Sequence, residues 1–214
     1  MEAIKVYIVG SATHYADWIK GSIQVDNLED ADIVLFTGGE DVDPSMYDHI
    51  NKSSYSNKYR DMNEKNIFEK IKSNQLALGI CRGSQVLCCF NGGKLYQDVT
   101  GHALGYTHAI TNGSKQLEIT STHHQMQYPF NLPNQDYDLL WWSATPLSRH
   151  YVWGGSDDYF RRPPAEPEIV MYHVKGKPLS LAIQGHPEMM RTTSPTIDEL
   201  NKLLRLCLQK LQNF

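Results

Sequence analysis

This sequence predicts an α/β fold, a three-layer sandwich around a mainly parallel central sheet. Three observations carry the prediction. Short apolar runs recur at Ile4–Val9, 32–36, Leu76–Ile80 and 179–184. Each has the length of a fully buried strand and is too short for a buried helix. Stretches with helix-start chemistry separate several of them, the alternation expected of a sheet covered on both faces. Finally, the chemically distinctive residues follow the strands, and in parallel α/β sheets ligands bind beyond the carboxyl ends of strands.

The elements read in order as follows. Residues 4–9 form the first strand and lead to a short helical stretch near 14–20. The strand at 32–36 runs into Thr37-Gly38-Gly39. Asp43-Pro44 is an N-cap followed by Pro at the first helical position. Residues 51–59 are polar and loop-like. Asp61-x-x-Glu64 reads as a capping box that opens a helix to about Ser73. Strand 76–80 follows, then an inward-packed helix through Phe90. Residues 92–125 read as loops and short strands, 116–119 among them. Two strands at 168–174 and 179–184, joined by Lys175-Gly-Lys-Pro178, form a hairpin. Ser194-Pro195 opens a final amphipathic helix to about Leu211.

The most informative segment is Gly79-Ile80-Cys81-Arg82-Gly83-Ser84-Gln85, between the strand and the helix. Strand, sharp turn, helix is the layout of a nucleophile elbow. The turn strains the backbone at its apex, so small residues are required on either side, and Gly79 and Gly83 supply them. The helix N-terminus behind Cys81 favours thiolate over thiol. Gln184-Gly185-His186-Pro187-Glu188 follows another apolar strand. A Cys nucleophile needs a base, and the base needs an orienting acceptor. In extended backbone His186 and Glu188 share one side. A tetrahedral oxyanion needs two donors. The amide of Arg82 is one, and an amide of the Gly38–Gly39 pair is the other. Each motif alone has an ordinary structural reading; three strand ends that together deliver every part of a catalytic set do not.

These motifs resemble those of class I glutamine amidotransferase domains. Residues 37–47, Arg60-Asp61-x-x-Glu64, Gly92-Gly-x-Leu-Tyr-Gln-Asp98 and Ser121-Thr122-His123-His124-Gln125 are similar to the γ-glutamyl hydrolase branch, which includes C26-type peptidases. The matching blocks span roughly 31–125 and 179–190. The resemblance implies a flavodoxin-like sandwich of the class I amidotransferase type. It implies Cys81 as nucleophile, His186 as acid/base and Glu188 as its orienter, with Gly38, Gly39 and Arg82 amides as the oxyanion hole. It further implies that Gln85 holds the α-amino acid end of a glutamyl group and that Ser121, Thr122, His123 and His124 close over it. For the two histidines structural packing is the competing reading, and for the Arg82 side chain an ion pair is. The substrate implied is a small γ-glutamyl amide, with no metal and no organic cofactor required. The alternative is a glutaminase subunit that passes ammonia to a synthase partner. A binding module on a dead scaffold would have a substituted triad, and all three residues are present.

Composition agrees with an ordinary enzyme read as one domain, 1–214. Hydrophobic content is 41%, charged content 21% and net charge −4. That balance, with no basic stretch, points away from nucleic acid. No apolar run approaches the ~18 residues of a membrane span. The acidic, short opening segment reads as a strand rather than a signal peptide. Four cysteines (81, 88, 89 and 207) form no Cys-x-x-Cys pair, and a required thiol suits a reducing cytoplasm. Two regions depart from the family pattern. Only about twenty residues separate the first two buried strands, where the family pattern has a longer opening segment, and a helix missing there would thin one sheet edge or expose a pairing surface. Residues 137–167 carry Trp141, Trp142, Trp153, Arg149, Arg161 and Arg162, either as core tryptophans beside a solvated loop or as a surface that reads the leaving group.

Overall fold

The apolar runs become strands because each can bury both faces at once. In the computed structural model, which describes residues 3–10, 12–155 and 162–212, nine strands form one sheet. They are β1 (Ile4–Val9), β2 (Ser22–Gln24), β3 (Ile33–Phe36), β4 (Leu76–Ile80), β5 (Ala103–Thr111), β6 (Gln116–Thr122), β7 (Tyr137–Ser143), β8 (Pro167–Tyr172) and β9 (Ser180–Ile183). Their order is β2-β1-β3-β4-β9-β8-β7-β5-β6. The first five in that order pair in parallel. The other four extend the sheet by antiparallel pairing. The sheet is therefore mixed, with a parallel half that carries the predicted site residues and an antiparallel half beside it.

Helices cover both faces. Side chains alternate along β3, so Ile33 and Leu35 join a core with the helix α3 (Pro195–Gln212), while Val34 and Phe36 join a second core with α1 (Lys58–Phe68) and α2 (Arg82–Phe90). In α3 the buried Ile197, Leu200, Leu204 and Cys207 recur at spacings of three and four, the stripe of a one-faced helix. Pro195 opens it, and Ser194 Oγ accepts from the amide of Ile197 at 3.3 Å.

Several elements differ from the sequence reading. The helical stretch near 14–20 is a single 3-10 turn, Thr13–Ala16. The short interval does not leave β1 as an edge: β2 pairs with it, and Tyr15, Trp18 and Ile19 fill the core there. Helix α1 begins at Lys58, capped by Asn57 through a bond from Arg60 N at 3.2 Å, and ends at Phe68. Asp61 and Glu64 are therefore not a capping box; they lie within the helix, past its cap, and are buried. Residues 103–122 form a long hairpin, β5 and β6. The signal was weak because β5 is half exposed and buries only His108 and Ile110 fully. Trp141 and Trp153 are buried, so the core reading of residues 137–167 holds for them. Arg149 and Arg162 are exposed, and Arg161 lies outside the described residues.

The parallel half closes tightly around the elbow. A Cβ on Gly83 would collide with the carbonyl of Phe36 at the end of β3, and one on Gly79 with the carbonyl of Gly83. Both obstacles are backbone and cannot swing aside. Gly83→Ala is expected to lower stability by about 3 kcal/mol, the upper range for overpacking a closed site, read as a shifted urea midpoint.

Candidate active site

Cys81 stands at the apex of the β4–α2 turn with φ 52° and ψ −110°. Such a conformation costs a non-glycine residue roughly 1–3 kcal/mol and survives only where its surroundings over-determine it. Here they do. The amide of Cys81 donates to Ile183 O on β9 at 2.8 Å, and its carbonyl accepts from the amides of Ser84 and Gln85 and from Ser84 Oγ. The turn holds the thiol at the N-terminal end of α2.

β9 delivers the second part. His186 Nδ1 donates to Glu188 Oε1 at 2.6 Å. The two residues meet through a 3-10 turn, Pro187–Met189, rather than through extended backbone. Thr120 of β6 clamps the base from below: its Oγ1 accepts from the His186 amide at 2.6 Å and donates to the His186 carbonyl at 3.1 Å. Gly185 permits this approach, since a Cβ there would strike Ile119. Burial pulls the His186 pKa down, but hydrogen bonds and charge from Cys81 and Glu188 outweigh it, and the net value is pushed up to about 10. The imidazole is thus a cation at neutral pH, between a sulfur and a carboxylate.

The third part is the loop 37–40. The hydroxyl of Tyr15 lies close against Gly38, and its pKa is raised by burial and by the nearby Glu188 and Cys81 charges. Tyr15 also packs against the His186 ring, with centroids 6.2 Å apart. The motifs gave no sign of Tyr15, because it lies in the segment that departs from the family pattern. The amides of Gly38, Gly39, at φ 146°, and Arg82 are the candidate oxyanion donors.

A buried ion network ties these parts together. The Arg82 guanidinium is 1% exposed. It donates to Glu64 Oε2 at 2.5 Å and to Asp61 Oδ1. Glu64 Oε1 also accepts from Arg60 Nε at 2.8 Å, and Arg60 reaches on to Glu40 Oε2 at 2.6 Å and Gly38 O at 3.0 Å. Asp61 Oδ2 accepts from the Asp43 amide at 2.9 Å. The Arg60-Asp61-x-x-Glu64 motif thus fastens the glycine loop to the first residue of the elbow helix.

A cleft of about 210 Å³ opens above Cys81, lined by Gly39, Glu40, Asp41, Tyr55, Gln85 and residues 122–125. Gln85 Nε2 donates to Gln125 O at 2.8 Å. Ser121 does not line the cleft; its buried hydroxyl donates to the His102 carbonyl. His123 and His124 both line it. Burial and neighbouring His102 push the His123 pKa down to about 3, so it is neutral. Hydrogen bonds to Asp41, at 2.8 Å, and to Asp98 raise that of the half-exposed His124. A larger cleft of about 740 Å³ between Phe68, Phe90 and Lys177 contains none of the predicted site residues.

Comparison with known proteins agrees with this geometry. The family model for Peptidase C26 matches residues 19–131. The chain belongs to the Peptidase C26 family. The matched stretch includes the glycine loop, the elbow and the His-His-Gln segment, whereas His186 and Glu188 lie beyond it. A Lactococcus lactis protein provisionally named glutamine amidotransferase-like protein YvdE is 32% identical over 96 residues, 44% of this chain and 39% of that relative. The match thus spans well under half of the relative's length. Among solved structures, a Thermoplasma acidophilum protein provisionally named as a GMP synthase subunit superposes with a TM-score of 0.60 at 19% identity, over 100% of both chains. A glutamine amidotransferase from Thermotoga maritima gives 0.52 at 16% identity, over 100% of this chain and 91% of the other. The fold is that of class I glutamine amidotransferases.

Two outcomes are expected. Arg82→Met leaves Asp61 buried without its cation and Glu64 with Arg60 alone, and is expected to cost about 3–5 kcal/mol in urea unfolding. Because His186 has a raised pKa, its contribution to stability is complete below its ordinary value of 6.5 and is lost as pH rises through about 10. Ring resonances of His186 should stay those of imidazolium through neutrality, and Glu188→Gln should bring the transition to lower pH.

Proposed function

We propose that the protein is a cysteine-dependent γ-glutamyl hydrolase, with Cys81 as nucleophile, His186 as acid/base and Glu188 as the orienter of His186. Residues 1–214 act as one catalytic domain in this reading. The observation that carries it is the convergence of two strand ends: a cysteine held at positive φ after β4 and, after β9, an imidazolium whose charge Cys81 and Glu188 favour, with the carboxylate 2.6 Å behind the ring.

The chemistry follows from the charges. Cys81 attacks the γ-carbonyl as thiolate, and the amides of the Gly38–Gly39 pair and Arg82 take up the oxyanion. The C–N bond breaks as His186 gives its proton to the departing amine. A water then attacks the thioester, with its proton passing to His186, and releases glutamate and Cys81. Gln85 and the segment 122–124 receive the α-amino acid end. The cleft is small against the ~300–1,000 Å³ of a drug-sized pocket, which suits a glutamyl group inside and an amine projecting outward. The projecting amine passes Tyr55, which is 89% exposed. With four free cysteines the setting we assign is the reducing cytoplasm.

The second reading is a glutaminase subunit that hands ammonia to a synthase partner. The likeness to a protein named for its part in a GMP synthase favours it. No helix of the described residues is long and apolar enough to cross a membrane.

Glutamate release by the purified chain decides between them, measured with glutamine, γ-glutamyl dipeptides, γ-glutamylated polyamines or aminobutyrate and γ-glutamyl nucleotide amidates. Turnover of one bulky amide that Cys81→Ala abolishes is the expected result. Replacing Gly39 so that its amide is displaced should cost ~10²–10³-fold in kcat. Preference for glutamine, or silence across the panel, would turn the assignment to the partner-dependent glutaminase.

A further inference from the structure

Three buried side chains behind the cleft wall bring candidate ligand atoms close together. They are His102, just before β5, His123, just after β6, and Glu168 on β8, exposed by 0%, 3% and 0%. The atoms they offer lie within 4.8 Å of one another. His102 Nδ1, His123 Nε2 and Glu168 Oε2 have no hydrogen-bond partner among the described residues. The His102 and His123 rings stack at 4.6 Å between centroids.

The tautomers follow from the outer partners. His123 Nδ1 faces the carbonyl of Gln125 at 2.9 Å. A carbonyl only accepts, so Nδ1 carries the proton and Nε2 a lone pair. His102 Nε2 faces Glu166 Oε2 at 3.1 Å, which assigns its proton likewise and turns the Nδ1 lone pair inward. Glu168 Oε1 already accepts from His108 Nε2 at 2.9 Å and from Ser143 Oγ at 3.3 Å, which leaves Oε2 for the centre. Each candidate ligand therefore has an outer hydrogen bond that holds its ring or carboxylate in the donating orientation, the arrangement that supports metal-bound histidines.

Converging lone pairs repel, and unsatisfied buried acceptors each cost about 1–3 kcal/mol. A proton shared between His102 Nδ1 and Glu168 Oε1, 3.5 Å apart, would leave His123 Nε2 and Glu168 Oε2 unserved. One cation serves all three. Two imidazoles and one carboxylate match a borderline first-row ion, whereas magnesium and calcium prefer all-oxygen shells. Negative charge on Glu166 and Glu168 complements a dication.

We propose that His102, His123 and Glu168 form a binding site for a zinc-class divalent cation. His123 also lines the cleft over Cys81. The ion would therefore tie the 121–125 segment of the cleft wall to β8, a positioning role separate from the hydrolytic step. The proposal stands apart from the hydrolase reading because its readout is bound metal.

The test uses the full chain carrying Cys81→Ala, so that the thiol at the cleft cannot bind metal. The protein is stripped with chelator and dialysed against zinc alone. About one zinc per chain is expected, and cobalt substitution should give the visible bands of a tetrahedral nitrogen–oxygen site without thiolate charge transfer. His102→Asn and Glu168→Gln should abolish the stoichiometric binding. Glu166→Gln keeps every ligand and removes only the outer carboxylate, so it tests the site even if the other variants misfold; zinc should bind it ~10–100-fold more weakly. Zinc at background in the parent chain, or retained equally by all the variants, would overturn the assignment.

Discussion

Cys81 can occupy its positive-φ turn only because three backbones crowd together without side chains between them. The end of β3, the start of α2 and the end of β4 approach so closely that neither Gly79 nor Gly83 has room for a methyl group. This crowding draws the loop after β3 alongside the helix N-terminus. The amide of Cys81 in turn bonds to the end of β9, which sets the height at which His186 emerges. Three parts of the site are thus held at one level by a single steric constraint, and the rest of the architecture supplies the packing that keeps it closed.

The strain at the elbow is supported by buried charge. Arg82 takes two carboxylates from α1, and those carboxylates hold Arg60 and the Asp43 amide in turn. Burying such a network costs several kcal/mol of desolvation for each ion, so packing alone would stabilise the same space as well or better. The network instead fixes direction. A guanidinium fork accepts its partners in few geometries, and it therefore orients the helix start, the glycine loop and α1 as one unit. The Arg82 side chain turns away from the cleft toward the buried carboxylates of α1.

The antiparallel half of the sheet works differently. It carries no part of the Cys-His-Glu set, yet Thr120 clamps the backbone of His186, and the His123 segment closes the cleft. Beneath that segment lies a polar core of His102, His108, Glu166 and Glu168. Hydrogen bonds from Tyr151 and from the amides of Leu147 and Ser148, together with His102, hold Glu166 at about 2 despite burial. Groups paired this way are rigid, because each would lose its partners on moving.

Much was legible in the sequence where the code is local. Gly-x-Cys-x-Gly after an apolar run specified the elbow, since strand length, turn and helix start are all set by neighbours. His186 and Glu188 were legible as a pair, although the backbone joining them is a 3-10 turn begun by Pro187. The amphipathic spacing of α3 gave its buried face directly. Asp61 and Glu64 were misread as a capping box, since a local motif cannot reveal that an arginine eighteen residues or more away claims both carboxylates. Tyr15, Thr120 and the buried histidine cluster were illegible for the same reason. Their roles arise from contacts between segments that are distant in the chain. The sequence by itself determined the fold class, the elbow and the pairing of His186 with Glu188, because those depend on periodicity and on neighbouring residues. Only the tertiary structure decided which loops meet at the cleft, which histidines face it and which carboxylates are neutralised, because those depend on what the sheet order brings into contact.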